Sequence, residues 1–223
     1  MISDTDNSIV IGKQRLDYRK IVFRTIKYID DIICKFPLWL KNSRIPFSSK
    51  EDMLNPKLAE FLNISDLPDL TIENIRFSFT NQPAQPGPYT PDIGVSLMNK
   101  VGSTNYFFYL EGKRLPARDT KSEREYVRGN SGGIQRFKEN KHGSNLPCSA
   151  MIGYIQKETF KIWQDRINGW IDELIKTEGS QWNNSDKMVV CDNRNDKFRS
   201  EHNRTDGNKP ITLYHYWIDL TNN

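Results

Sequence analysis

The stretch PDIGVSLMNKVGSTNYFFYLEGKRL, from Pro91 to Leu115, decides the fold. Both of its ends are rich in β-branched and aromatic residues, and the polar segment NKVGST between them contains Gly102. This pattern predicts two antiparallel strands joined by a turn of medium length. Pro91 stands directly before the first strand, where a proline removes no ladder hydrogen bond. Apolar side chains such as Val95 and Phe108 indicate that both strands are buried on at least one face.

Charged side chains of this hairpin are predicted to meet. Because successive side chains of a strand point to opposite faces, Glu111 and Lys113 share a face and Gly112 lies on the other. If the residues that flank NKVGST pair with each other, Asp92 lies directly opposite Glu111. Opposed carboxylates repel, and a divalent cation that takes both as hard oxygen ligands removes the repulsion. Lys113 would then reach a phosphate or an attacking water. A hairpin with solvated surface charges is the alternative.

The pairing of Pro91-Asp92 with Glu111-Gly112-Lys113 resembles the signature of the PD-(D/E)xK nuclease superfamily. In that superfamily the Asp, Glu and Lys lie on adjacent strands of a small mixed sheet, and the similarity in element order extends over about residues 51–156. The resemblance implies an α/β, restriction-endonuclease-like fold with a central mixed β-sheet flanked by helices. It also implies a metal-dependent nuclease that hydrolyses phosphodiester bonds with Mg²⁺, for which Mn²⁺ can substitute.

The resemblance also implies roles for individual residues. Asp92 and Glu111 would hold the metal together with the carbonyl of Gly112. Lys113 would orient the attacking water and stabilise the phosphate. Asp92, Glu111 and Lys113 are therefore the expected catalytic residues on the hairpin.

The resemblance further implies a metal-side carboxylate from the helix that precedes the sheet. Glu51 and Glu60 are the candidates, and helical geometry puts them on opposite faces. Glu51 shares its face with Leu54 and Leu58, which must pack inward, so we predict that Glu51 is the catalytic residue. The alternative is that Glu51 only stabilises the helix N-terminus.

Basic residues are concentrated beside the predicted site. From Lys113 to Lys141, nine Lys and Arg stand against four Asp and Glu, whereas the whole chain has a formal net charge of +4. A local excess of this kind suits a phosphodiester backbone, and a solvated helix face is the alternative. The side chains predicted to contact nucleic acid lie in this region and in a later polar segment: Arg114, Arg128, Gln135, Arg136, Lys138, His202 and Arg204.

The later polar segment allows two other interpretations. Cys191, His202 and His215 are candidate zinc ligands, but their spacing matches no structural zinc pattern and a fourth ligand is missing. A Ser-His-Asp triad is less favoured still, because the sequence contains no nucleophile elbow.

The remaining sequence predicts an accessory helical segment in residues 1–45 and a nuclease-like domain in residues 46–223. Apolar spacing indicates a helix over 18–34 that Pro37 ends or bends. The other predicted elements are a helix capped by Ser48 or Ser49 and ending at Leu62, a strand at 74–80, a helix at 126–140 broken at its glycines, a strand at 149–156, a helix at 158–178, and closing strands KMVVC and ITLYHYWIDL.

The composition limits the expected cellular location and the expected class of partner. Cys34, Cys148 and Cys191 lie far apart, as is typical of reduced thiols in a cytoplasmic protein. The polar N-terminus does not resemble a signal peptide, and no apolar run approaches a membrane span, so we expect a cytoplasmic location and no membrane partner. The expected partner is nucleic acid, with DNA favoured over RNA. A homodimer, or a partner subunit in a defence complex, stays open.

The biological setting follows only from the resemblance, which suggests restriction or phage defence. The alternative function is a catalytically silent module that binds nucleic acid or protein on a nuclease fold. Because the Asp, Glu and Lys are all present, we favour the enzyme.

Overall fold

A computed structural model describes residues 8–11, 14–65, 71–72, 75–84, 88–98, 105–129 and 132–221. The predicted turn NKVGST lies outside the described residues, as does Asn74 at the start of a predicted strand. Within the described residues, no helix combines the length and the apolar character needed to cross a membrane.

The described part of the chain forms ten strands. Ser8–Ile11 (β1) and Gln14–Asp17 (β2) make a small antiparallel hairpin. The others form one mixed sheet and are Thr71–Ile72 (β3), Ile75–Asn81 (β4), Ile93–Met98 (β5), Tyr106–Leu115 (β6), Cys148–Ile155 (β7), Val189–Cys191 (β8), Arg194–His202 (β9) and Ile211–Asp219 (β10). Their order is β3-β4-β5-β6-β7-β10-β9-β8. The central strands β6, β7 and β10 are parallel, and the outer pairs are antiparallel.

Helices cover both faces of this sheet. In the described residues they are Tyr18–Ile32 (α1), Phe36–Asn42 (α2), Glu51–Ile64 (α3), Thr120–Glu123 (α4), Gly133–Lys138 (α5) and Phe160–Ile175 (α6). The buried residues of α1, α2 and α3 pack against one face, and those of α5 and α6 against the other. On β7, Ile152 and Tyr154 join the first cluster while Met151 and Ile155 join the second, as strand alternation requires. The predicted α/β class with a helix-flanked mixed sheet is confirmed.

The predicted hairpin is formed by β5 and β6, and its register positions the site. Ile93 pairs with Leu110. In this register Asp92, one residue before β5, comes level with Glu111, as predicted. The register shifts after Val95, so the pairing that continues toward the turn differs from the symmetric closure that we expected.

The N-terminal helices belong to the same apolar cluster as the sheet. The helix predicted over residues 18–34 is α1, and Pro37 lies in the first turn of α2, where a proline is tolerated. The Tyr18 hydroxyl donates to the carbonyl of Phe107 on β6 at 3.1 Å. The division of the chain at residue 45 stays a prediction, and the packing shows that α1 and α2 complete the core on that side.

Helix α3 differs from the prediction at its start. Its N-cap is Lys50, so the proposed cap at Ser48 or Ser49 is wrong. The Ser49 hydroxyl instead donates to the carbonyl of Pro46 at 2.6 Å. Pro56 lies inside α3, which nevertheless continues to Ile64.

The predicted break at the glycines after Tyr126 is present. Helix α4 and the 3-10 turn Arg124–Tyr126 precede it, and α5 begins at Gly133. Ile134 and Phe137 are buried, as expected.

The segment that looked merely polar contains strand β9. The prediction missed it because charged residues interrupt its apolar pattern. Its inward side chains include Lys197, which is buried and whose ammonium contacts the carboxylates of Asp30 and Asp192 at 2.8 and 2.7 Å.

Candidate functional site

The predicted catalytic side chains lie at the open end of the β5–β6 hairpin, where β5 begins and β6 ends. The Lys113 ammonium lies 2.9 Å from Oε1 of Glu111, so the two side chains share a face as expected. It also lies 4.0 Å from Oε2 of Glu51, the first residue of α3. The other oxygen of Glu51 accepts the backbone N–H of Arg114 at 2.6 Å. Glu51 therefore reaches the hairpin, whereas Glu60 is exposed.

Helix α3 lies against β6 at Gly112. A Cβ atom at this position would lie 2.1 Å from Oδ1 of Asn55, so a side chain there would force the helix away. The Tyr154 hydroxyl donates to the same Oδ1 at 2.9 Å. Asn55 and Tyr154 were not among the predicted site residues. The available signal was an Asn four residues after Glu51, polar on an otherwise apolar helix face.

Asp92 is held by the backbone of β6. The N–H of Gly112 donates to Oδ2 of Asp92 at 2.8 Å. Because the N–H and C=O of one strand residue point to the same side, the Gly112 carbonyl also faces Asp92. Burial, and then the charge of Glu111, raise the pKa of Asp92 to about 7, although Lys113 and the Gly112 hydrogen bond oppose the shift.

The carboxylate of Glu111 is nearly inaccessible to solvent, with 2% exposed. Its Oε1 faces Lys113 and also lies 3.6 Å from Nη1 of Arg136 on α5. Its Oε2 lies 3.4 Å from Nδ1 of His142. Burial lowers the pKa of His142 to about 4, against the opposite effect of Glu111, so the imidazole is neutral near neutral pH. Burial would lower the pKa of Lys113, but Glu111, Glu51 and Asp92 raise it above its ordinary value.

No family model, curated protein or solved structure matches the chain. The site must therefore be interpreted from its own geometry. Among the described residues, no group of three or more His, Cys, Asp or Glu side chains is arranged to hold a metal ion. The arrangement instead offers the carboxylates of Asp92 and Glu111, the Gly112 carbonyl, and an adjacent ammonium.

A pocket of about 240 Å³ opens beside Lys113. It lies between the start of α3, the end of β6 and the segment that follows it. Arg114 and Arg118 line this pocket, together with Glu51 and the acidic residues Glu123 and Glu125. The pocket is therefore lined by side chains of both charges, including Lys50 and Asp52 at the start of α3.

The other predicted nucleic-acid contacts are dispersed. Arg136 reaches the site, and its guanidinium lies 5.7 Å from the ring of Tyr89. Arg128 and Gln135 line a second pocket, of about 260 Å³, which shares no lining residue with the first. Gln135 also accepts the N–H of Gly129 at 3.1 Å. Their contact with nucleic acid stays a prediction.

Lys138, His202 and Arg204 must be corrected, because the structure buries their side chains. Lys138 pairs with Asp186 at 2.7 Å, and Asp186 also binds Nδ1 of His202. Arg204 donates to backbone carbonyls at 2.6 to 2.9 Å, those of Phe137, Gly143 and Leu146. These side chains stabilise the fold and are not available to phosphate.

A network of buried, hydrogen-bonded side chains contains the other candidate residues of the late polar segment. The Ser200 hydroxyl lies 2.7 Å from Nε2 of both His202 and His215, so these two candidate zinc ligands share a serine as their partner. Nδ1 of His215 lies 2.9 Å from the Tyr126 hydroxyl. Asp186, His202 and Ser200 thus have the order of a catalytic triad, but each is at most 2% exposed. A substrate has no access to this serine, so we assign this network of buried polar side chains a structural role.

Proposed function

We propose that this protein is a metal-dependent nuclease that hydrolyses phosphodiester bonds of nucleic acid, with DNA as the favoured substrate. The observation that carries the proposal is that Glu51 and Glu111 lie 4.0 and 2.9 Å from the Lys113 ammonium, while Asp92 accepts the N–H of the adjacent Gly112. Burial, and then repulsion from Glu111, raise the pKa of Asp92, and a divalent cation bound by both carboxylates would remove that repulsion. The resemblance to the PD-(D/E)xK superfamily supports the same interpretation.

The residues fit Mg²⁺, and Mn²⁺ as its substitute. Asp92, Glu111 and the Gly112 carbonyl supply hard oxygen donors, and Mg²⁺ is commonly held by one or two carboxylates with water completing its shell. The N–H of Gly112 holds the Asp92 carboxylate at 2.8 Å, beside the strand that carries Glu111. When bound, the metal would lower the pKa of a water and polarise the phosphoryl oxygen.

The chain's own charged groups would bind and orient the substrate. Lys113, held by Glu111 and Glu51, presents an ammonium that can orient the attacking water and offset the charge that develops on the phosphate. Arg114 and Arg118 line the adjacent pocket and attract the neighbouring phosphates. Arg136 approaches from α5, on the side of Glu111 that faces Lys113.

The cytoplasmic location, a role in restriction or phage defence, and assembly as a homodimer or with a partner subunit are further parts of this proposal. They rest on the composition and on the resemblance. The second candidate function is a silent binding module. It is favoured by the cations near Glu111, because Lys113 and Arg136 already balance part of its charge without a metal.

A cleavage assay separates the two functions. Purified protein would be incubated with double-stranded DNA, single-stranded DNA and single-stranded RNA, in Mg²⁺ or in EDTA. The nuclease proposal predicts cleavage of at least one substrate in Mg²⁺ and none in EDTA. Binding of the same substrates without cleavage in Mg²⁺ or Mn²⁺ would establish the silent module instead.

A further inference from the structure

A fully buried imidazole lies behind the carboxylate of Glu111. His142 is 0% exposed, and its Nδ1 lies 3.4 Å from Oε2 of Glu111. Three atoms here have no hydrogen-bond partner among the described residues: both ring nitrogens of His142 and Oε2 of Glu111. Buried polar atoms are nearly always paired, because an unpaired one keeps its full desolvation cost. Unpaired atoms from two facing side chains therefore need a functional or structural reason.

The two oxygens of Glu111 have different surroundings. Lys113 and Arg136 lie near Oε1, at 2.9 and 3.6 Å. Oε2 faces the imidazole of His142. A hydrogen bond to Oε2 would fix the rotation of the carboxylate and keep Oε1 toward Lys113.

The position of His142 is itself set by packing. Its ring meets the ring of Phe137 edge-on, with centroids 5.6 Å apart and an interplanar angle of 83°. Its backbone N–H donates to the carbonyl of Arg136 at 3.1 Å, which ties it to the helix that approaches Glu111. Gly143 follows with a φ of 59°, and a Cβ there would lie 3.2 Å from Oγ of Ser149. The tight turn leaves the imidazole little freedom to move away.

We propose that His142 is a positioning residue whose Nδ1–H donates to Oε2 of Glu111 when the site is occupied, and so orients this carboxylate toward the metal. The inference rests on the proposed function. The separation of 3.4 Å is longer than a hydrogen bond, but contacts of this kind are often long in a free enzyme and shorten in its complexes. Partners that orient a metal-binding carboxylate are typically worth about 10- to 100-fold in metal affinity.

The test is a calorimetric titration of the full chain with Mn²⁺. His142→Asn keeps an N–H near the position of Nδ1, and His142→Leu removes both ring nitrogens. Phe137→Leu alters the same packing and leaves His142 in place, so it is the matched control. We expect Mn²⁺ affinity to fall about 10- to 100-fold in His142→Leu and to stay within about 3-fold of wild type in His142→Asn and Phe137→Leu. If His142→Leu does not fold, His142→Phe keeps an aromatic ring without the donor.

The outcomes separate this inference from the proposed function. Wild-type affinity in His142→Leu, or an equal loss in His142→Leu and His142→Asn, would overturn the positioning role while the nuclease proposal stands. A wild-type protein that neither binds Mn²⁺ nor cleaves nucleic acid would overturn the nuclease proposal, and the inference with it.

Discussion

Replacing Asp92 with Asn tests the electrostatics of the site directly. The amide oxygen can still accept the N–H of Gly112, so the change removes a charge and keeps a hydrogen bond. The folded protein raises the pKa of Asp92 from 3.8 to about 7, mainly by burial and then through Glu111. The folded state therefore binds this proton more tightly than the unfolded chain. Stability consequently falls as pH rises through this interval, and the full cost is present above about pH 7.

The size of the effect follows from the shift. A rise from 3.8 to about 7 corresponds to about 4 kcal/mol of unfavourable free energy at high pH. Asp92 is only partly buried, and water screens its charge, so we take about half of that value. We therefore expect Asp92→Asn to raise the free energy of unfolding by about 2 kcal/mol at about pH 8. At about pH 4 the expected gain is less than ~0.5 kcal/mol.

Urea unfolding in EDTA at both pH values measures this gain. Asp31→Asn, at an exposed position on α1, is the control and should change the free energy of unfolding by no more than about 0.5 kcal/mol. Saturating Mg²⁺ should stabilise the wild type and reduce the advantage of Asp92→Asn. A variant that is less stable than wild type near neutral pH, or a gain that does not change with pH, would refute the electrostatic reasoning.

Four other substitutions address the helix, the corrected lysine and the basic surface. Glu51→Gln should lose Mg²⁺-dependent cleavage, while Glu60→Gln on the exposed face of α3 should cleave normally in single-turnover assays. Lys138→Met should lower the free energy of unfolding by about 3 kcal/mol in urea titrations, because Asp186 stays buried without its ion-pair partner. Arg136→Ala should flatten the salt dependence of DNA affinity by about one unit, measured by fluorescence anisotropy. Normal cleavage by Glu51→Gln, unchanged stability or an unchanged slope would contradict the respective claim.

Local patterns were sufficient to predict the hairpin and the approach of Glu51. Alternation placed Glu111 and Lys113 on one face, and their contact at 2.9 Å agrees with it. The helical angle between Glu51 and Glu60 held although Pro56 lies between them, since α3 continues through the proline. These features depend on neighbours in sequence, which is why periodicity could find them.

Long-range pairing could not be predicted in this way. Lys138 looks like part of a basic surface until the fold brings Asp186 within 2.7 Å of it. Arg204 similarly meets carbonyls more than fifty residues away, among them that of Leu146. The proximity of His142 to Glu111 also depends on how α5 and the following turn pack on β6. In each case the partner is set by tertiary packing, and no local spacing records it.

The most direct test of the central claim is cleavage by three variants under single-turnover conditions in Mg²⁺: Asp92→Asn, Glu111→Gln and Lys113→Ala. Affinity for the same substrate and the urea midpoint would be measured for each protein. The account predicts that each folded variant binds nucleic acid but has lost cleavage, because each lacks a group that holds the metal or stabilises the phosphate. Substantial cleavage by any purified, folded variant would contradict the role assigned to that residue, and cleavage by all three would contradict the site.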